Sequence, residues 1–161
     1  MEDPRRRIGT QVLILNQAGN SVLLVHPTYR ADWTLPGGDV APGEPIITAA
    51  RRVLFDRIGL DREISHGLLG DQVPYNSNTG TPERISIVCD GGRMSVTDAA
   101  ALSVPINHAP ETRALEWVPI DLLPRYTEPY IERRIRAAVA SIALGHRFPL
   151  LYLGEPVTVV V

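Results

Sequence analysis

Lysine is absent from this 161-residue chain, and cysteine occurs once, at Cys89. All 16 basic side chains other than histidine are therefore arginine, which excludes Schiff-base and lysine-nucleophile chemistry. A single cysteine excludes an internal disulfide and any multi-cysteine zinc site. Following Ile87-Val88, it reads as a packing residue rather than a nucleophile. No run reaches the roughly 18 apolar residues that span a bilayer. The opening Met-Glu-Asp-Pro-Arg-Arg-Arg is charged and lacks the apolar core of a signal peptide, so a cytoplasmic protein is expected. Charge imbalance is also missing: the formal net charge is -2 and the pI about 6.1, which points to neither a nucleic-acid polymer nor a membrane as partner. Neither an internal repeat nor a linker divides the chain. What is present, 44% hydrophobic and 21% charged residues, is ordinary for one domain that buries a core without cross-links.

The chain reads as strands interleaved with helices. Gly9 to Leu15 and Ser21 to His26 alternate with turn residues Asn16 to Asn20, predicting a hairpin. Ile46, Ala49, Ala50, Val53 and Leu54 recur at helical spacing from Pro45 to Ile58, with Gly59 where a helix ends. Ile64 to Val73 and Arg84 to Cys89 read as strands around a polar loop, Pro74 to Pro82. Met94 to Thr112 reads mainly as a long loop, a type that often carries function. Leu115 to Ile120 reads as a short strand. Thr127-Glu128-Pro129 opens a helix, striped by Ile131, Ile135, Val139 and Ile142 and ended by Gly145. The expected organisation is a single domain over 1–161, with its core at 8–145 and an apolar tail at 146–161 that reads as an edge strand or a partner surface.

The most specific text is Trp33-Thr34-Leu35-Pro36-Gly37-Gly38-Asp39-Val40-Ala41-Pro42-Gly43-Glu44 and the helix after it. It resembles the Nudix box: glycine, five residues, glutamate, seven residues, then Arg-Glu-aliphatic-x-Glu-Glu-x-Gly-aliphatic. Gly38, Glu44, Arg52, Leu54, Gly59 and Leu60 fit in register, and Glu116-Trp117-Val118-Pro119 with Asp121 is Nudix-like downstream. The resemblance covers about Gly9 to Gly145. It implies a Nudix α/β/α sandwich with a mixed β-sheet, and hydrolysis of substrates built on a nucleoside diphosphate. It also implies Mg2+ or Mn2+ as cofactor, with a Gly37 or Gly38 carbonyl and glutamates at i, i+3 and i+4 as ligands.

The chain departs from that pattern where metal binding is concentrated. Val53 takes the first glutamate position, Asp56 the second and Arg57 the third. Guanidinium cannot ligate a metal, and Mg2+ held by one carboxylate is held weakly, so the cofactor is expected to be weak or none. Two function classes stay open. One is a diphosphate hydrolase with attenuated or altered chemistry, using Glu44, Asp56 and the loop residue Glu111 as catalytic carboxylates. Tyr29, Arg51, Arg52 and Arg57 would then grip a phosphorylated or anionic small molecule. Any residual metal would sit on Gly37, Gly38, Asp56 and Glu44. The other is a non-catalytic module binding a nucleotide or another anion. Glu44 with Arg52 reads equally as an ion pair bracing the loop, and Asp56 with Arg57 as a solvated helix pair. Trp33 and Trp117 read as core aromatics. His26, His66, His108 and His146 lack metal-cluster spacing, and His108 alone invites testing as an acid or base. The apolar tail and family habit favour a homodimer.

Overall fold

Val12, Leu13, Ile14 and Leu15 are all buried, so the first strand meets apolar layers on both faces. That position is explained by a computed structural model describing residues 5–102, 112–145 and 147–157. Strand β1 (Arg7–Asn16) returns antiparallel as β2 (Ser21–Pro27). The Asn16 carboxamide closes the turn by accepting the Asn20 and Ser21 N–H groups at 3.0 Å. The short β3 (Gly37–Asp39) pairs antiparallel with the first half of β1, where β2 has left it. Helix α1 (Ile46–Ile58) follows and stops at Gly59.

Next come β4 (Gly67–Val73), β5 (Arg84–Met94), the one-and-a-half-turn helix α2 (Val96–Ala101) and β6 (Thr112–Pro119). A 3-10 turn over Ile120–Arg125 leads into α3 (Pro129–Ala143), and the edge hairpin β7 (Leu150–Tyr152) and β8 (Glu155–Pro156) completes the order. Among the described residues, eight strands form one mixed sheet in the order β6-β2-β1-β5-β4-β7-β8, with β3 beside β1. The central pair β1–β5 is parallel. On one face Val12, Ile14, Leu23 and Cys89 pack against Ala50, Leu54 and Ile58 of α1. On the other, Leu13, Leu15, Leu24 and Val88 pack against Ile131, Ile135 and Ala138 of α3. The expected α/β/α sandwich is present.

Several local expectations change. The segment from Met94 is not simply a loop: Ser95 caps α2 by accepting the Asp98 N–H at 3.2 Å. Residues 103–111, with His108 and Glu111, lie outside the described residues, as do His146 and 158–161 of the tail. β5 runs five residues past Cys89 because β1 keeps pairing with it as far as Asn16 and Met94. β4 starts at Gly67, although Ile64 is buried against α1. Glu128 occupies the α3 N-cap, without a side-chain cap bond. Thr127 Oγ1 donates to the Leu123 carbonyl at 3.0 Å. Val139 and Ile142 are half-buried, while Arg134 and Ser141 share the buried face of α3.

Candidate functional site

Helix α1 reaches the sheet closely because Ala49 and Ala50 are small and fully buried. Its next turn presents Val53, 3% exposed, to the glycine strand β3. A Cβ added at Gly38 would lie 3.0 Å from Val53 Cγ1, and one at Gly37 would lie 2.5 Å from the Thr10 carbonyl oxygen. Only glycine permits that second approach. The position that would carry the first box glutamate is thus an apolar packing residue beneath the loop.

One turn on, Arg57 Nε donates to the Gly37 carbonyl at 3.0 Å. The guanidinium therefore sits on one of the two carbonyls expected to face a metal. Asp56, half-exposed, pairs with Arg52 Nη1 at 3.6 Å. Arg52 also holds both Glu44 oxygens, Nη2–Oε1 at 2.8 Å and Nε–Oε2 at 2.9 Å, and donates to the Asp39 carbonyl at 3.0 Å. The Ala41 N–H adds a bond of 3.1 Å to Glu44 Oε1. Glu44 is the brace of the loop.

Those bonds, first from Arg52 and then from the Ala41 N–H, pull the Glu44 carboxyl from 4.5 down to about 2. A depressed carboxylate contributes stability that is fully present above its unfolded pKa and is lost as pH falls through the folded one. The Glu44 contribution should therefore fade between about pH 4.5 and pH 2. Thermal melts across this window should fall less steeply with acid for Glu44→Gln than for the wild type; parallel profiles would show that the brace adds nothing to folding.

Beside the paired start of β1 and β3, two cavities open that share part of their lining. The smaller, about 510 Å³, is lined by Gly37, Gly38, Thr34 and Arg57 among others. The larger, about 860 Å³, is walled by Tyr75, Asn76 and Tyr130. Gln11, Tyr29, Arg30 and Arg84 border both. Tyr29 is 65% exposed, as suits a ligand wall. Arg30 pairs with Glu128 at 2.6 Å, and Arg84 pairs with Asp39. Of the residues expected from sequence, Tyr29, Arg57, Gly37 and Gly38 meet at this cleft. Glu44, Arg52 and Asp56 do not line it, and Arg51 is engaged with Asp61 at 2.7 Å. Trp33 stacks on His26, with ring centroids 5.1 Å apart, and packs on the core, whereas Trp117 packs on the opposite face. Burial pushes the Cys89 thiol up, which suits a packing residue.

Sequence reading missed Arg30, Arg84, Gln11, Tyr130 and Arg134. The readable signals were polar interruptions: Gln11 within the apolar run of β1, and Arg134 on the apolar stripe of α3. Gly37 O is engaged by Arg57 and Glu44 by Arg52, and no group of three or more His, Cys, Asp or Glu suited to a metal occurs among the described residues. Among the described residues, with Gly37 O and Glu44 both engaged by arginine, the donors left fit Mg2+ poorly. No described helix is long and apolar enough to cross a membrane.

A family model described as NUDIX domain matches residues 5–139. The chain belongs to the Nudix family. As a Nudix protein it is similar to an RNA pyrophosphohydrolase of Erythrobacter litoralis, 28% identical over 156 residues, covering 86% of this chain and 91% of that one. Its fold matches a MutT protein of Methanosarcina mazei at a TM-score of 0.67 and 20% identity, over 91% of this Nudix chain and 99% of the other. It also matches the Nudix domain of Shewanella oneidensis NrtR, complexed with ADP-ribose, at 0.66 and 14% identity, over 87% and 90%.

Proposed function

We propose that this Nudix chain holds a diphosphate-bearing small molecule in the cleft by arginine rather than by metal, and hydrolyses it with strongly attenuated turnover. One observation carries the reading: Arg57 donates to Gly37 O, so a fixed cation stands beside a prospective metal-ligand carbonyl. Arg30 and Arg84, held by Glu128 and Asp39, add guanidinium donors at the mouth, and planar guanidinium matches phosphate oxygens well. With Arg57 in place of a carboxylate ligand, catalysis rests on positioning and fixed charge. The pyrophosphohydrolase relative and the ADP-ribose complex of a Nudix neighbour make diphosphates the natural first ligands to test.

A second reading, binding without turnover, is favoured by the carboxylates. Glu44 is committed to Arg52, and Asp56 lines neither large cavity.

Calorimetric titration of inorganic pyrophosphate and ADP-ribose, with excess chelator, tests both. Binding should persist under chelation, and Arg57→Gln should weaken it at least about tenfold, since a hydrogen bond to a charged group is worth about 1.5–3 kcal/mol. Slow chelator-insensitive hydrolysis supports the first reading, and binding with no hydrolysis the second. Binding and rapid turnover that vanish with chelator would sink the arginine-for-metal idea.

A further inference from the structure

Gln11 is a polar residue on the face of β1 that also carries Leu13 and Leu15, and such a group must find partners. Its Oε1 accepts from Arg134 Nη1 at 3.0 Å, and its Nε2 donates to Thr34 Oγ1 at 3.0 Å. Arg134, 3% exposed, is itself held by Asp71, which is fully buried: Nε–Oδ2 is 2.6 Å. The second Asp71 oxygen accepts the Gly154 N–H at 2.9 Å. Tyr130 lies over the Arg134 guanidinium at 5.4 Å.

This chain of bonds decides which end of the amide meets a ligand. Guanidinium only donates, so the Gln11 oxygen must face Arg134 and the amide cannot turn round. The NH2 group is left beside the cleft. One of its hydrogens goes to Thr34, and no group among the described residues takes the other. Thr34, which lines the smaller cavity, accepts from Gln11 and keeps its own hydroxyl proton to donate. At the junction of the two cavities the floor thus presents hydrogen-bond donors, with Arg30 and Arg84 at the rim.

We propose that Gln11 is a specificity-determining residue whose locked N–H reads a phosphoryl oxygen of the ligand where the cavities meet. This rests on the cleft being the ligand site, as argued above. A ligand presenting a donor there would leave two donors facing each other, a mismatch that costs more than a missing contact.

Pyrophosphate titrations with chelator on wild type, Gln11→Met and Gln11→Glu, alongside thermal melts, separate reading from packing. Gln11→Met fills the space without donating, so affinity should fall about tenfold. Gln11→Glu keeps an oxygen for Arg134 but sets a carboxylate against the anion, so affinity should fall further, on the order of a hundredfold. Its melting temperature should nevertheless stay at or above that of Gln11→Met. A purely structural role predicts the opposite order in binding, with Gln11→Glu the better preserved, and that result overturns the assignment. Wild-type binding with both variants within about twofold overturns it too, leaving the cleft reading intact. A wild type that binds neither pyrophosphate nor ADP-ribose overturns both.

Discussion

Replacing Val53 and Arg57 together by glutamate should turn the chain into a Mg2+ binder. Positions 53, 56 and 57 stand at i, i+3 and i+4 and face the same way from α1. Val53 already packs against Gly38, and Arg57 already reaches Gly37 O, so side chains leaving these Cβ atoms point toward the glycine strand. The double substitution frees the Gly37 carbonyl and adds two carboxylates to Asp56, making four oxygen-bearing ligand groups where one carboxylate stood. Without metal the variant should be less stable than wild type. A carboxylate replaces a side chain that is 3% exposed, and an uncompensated buried charge costs several kcal/mol. Mg2+ should restore it: at a hundred times Kd, binding adds about 2.7 kcal/mol, or roughly 5–10 °C in Tm for a chain of this size. Val53→Glu alone should respond far less, because Arg57 still covers the carbonyl. The decisive comparison is Tm with and without Mg2+ for wild type and both variants. A wild type stabilised as much as the double variant would show that the described donor set misrepresents the site.

Removing Arg134 should be among the most damaging single changes outside the box. Arg134→Met leaves the fully buried Asp71 with the Gly154 N–H as its remaining donor and deprives Gln11 Oε1 of its partner. Breaking a buried pair from one side typically costs about 3–5 kcal/mol, a fall of roughly 10 °C in Tm. The double change Arg134→Met with Asp71→Leu should recover much of that loss, because an apolar pair pays no charge desolvation. It should not recover pyrophosphate affinity, since nothing then fixes the Gln11 amide. Thermal melts read the first effect and calorimetry the second. Recovery of both together would mean that the pair serves stability alone, and a double variant as unstable as Arg134→Met would refute the buried-charge account.

These two networks differ in how far the sequence disclosed them. The box spacing announced the loop, α1 and the Glu44–Arg52 brace, because partners eight residues apart across one loop are set by local geometry. It also flagged Val53 and Arg57 as departures. It could not say that Arg57 turns to Gly37, since the position of that carbonyl depends on Gly37 pairing with Gln11 of β1, 26 residues back along the chain. The Asp71–Arg134–Gln11 chain joins β4, α3 and β1, elements as far apart as 123 residues, so each residue looked like an isolated polar exception. Helix α2 escaped because six residues with no buried side chain carry no periodicity to detect.

The two outer strands of the sheet also bear on how the protein avoids sticking to itself. β8 is two residues long and consists of Glu155 and Pro156, so the far edge offers little backbone for another strand to copy, and proline withholds a donor. At the other end β6 carries exposed Arg113 and Glu116 and finishes in Pro119. Charge and proline at both margins discourage continuation of the sheet from one molecule to the next. Through the described strands, self-association would then use faces and loops rather than edge-to-edge stacking of the kind that seeds fibrils.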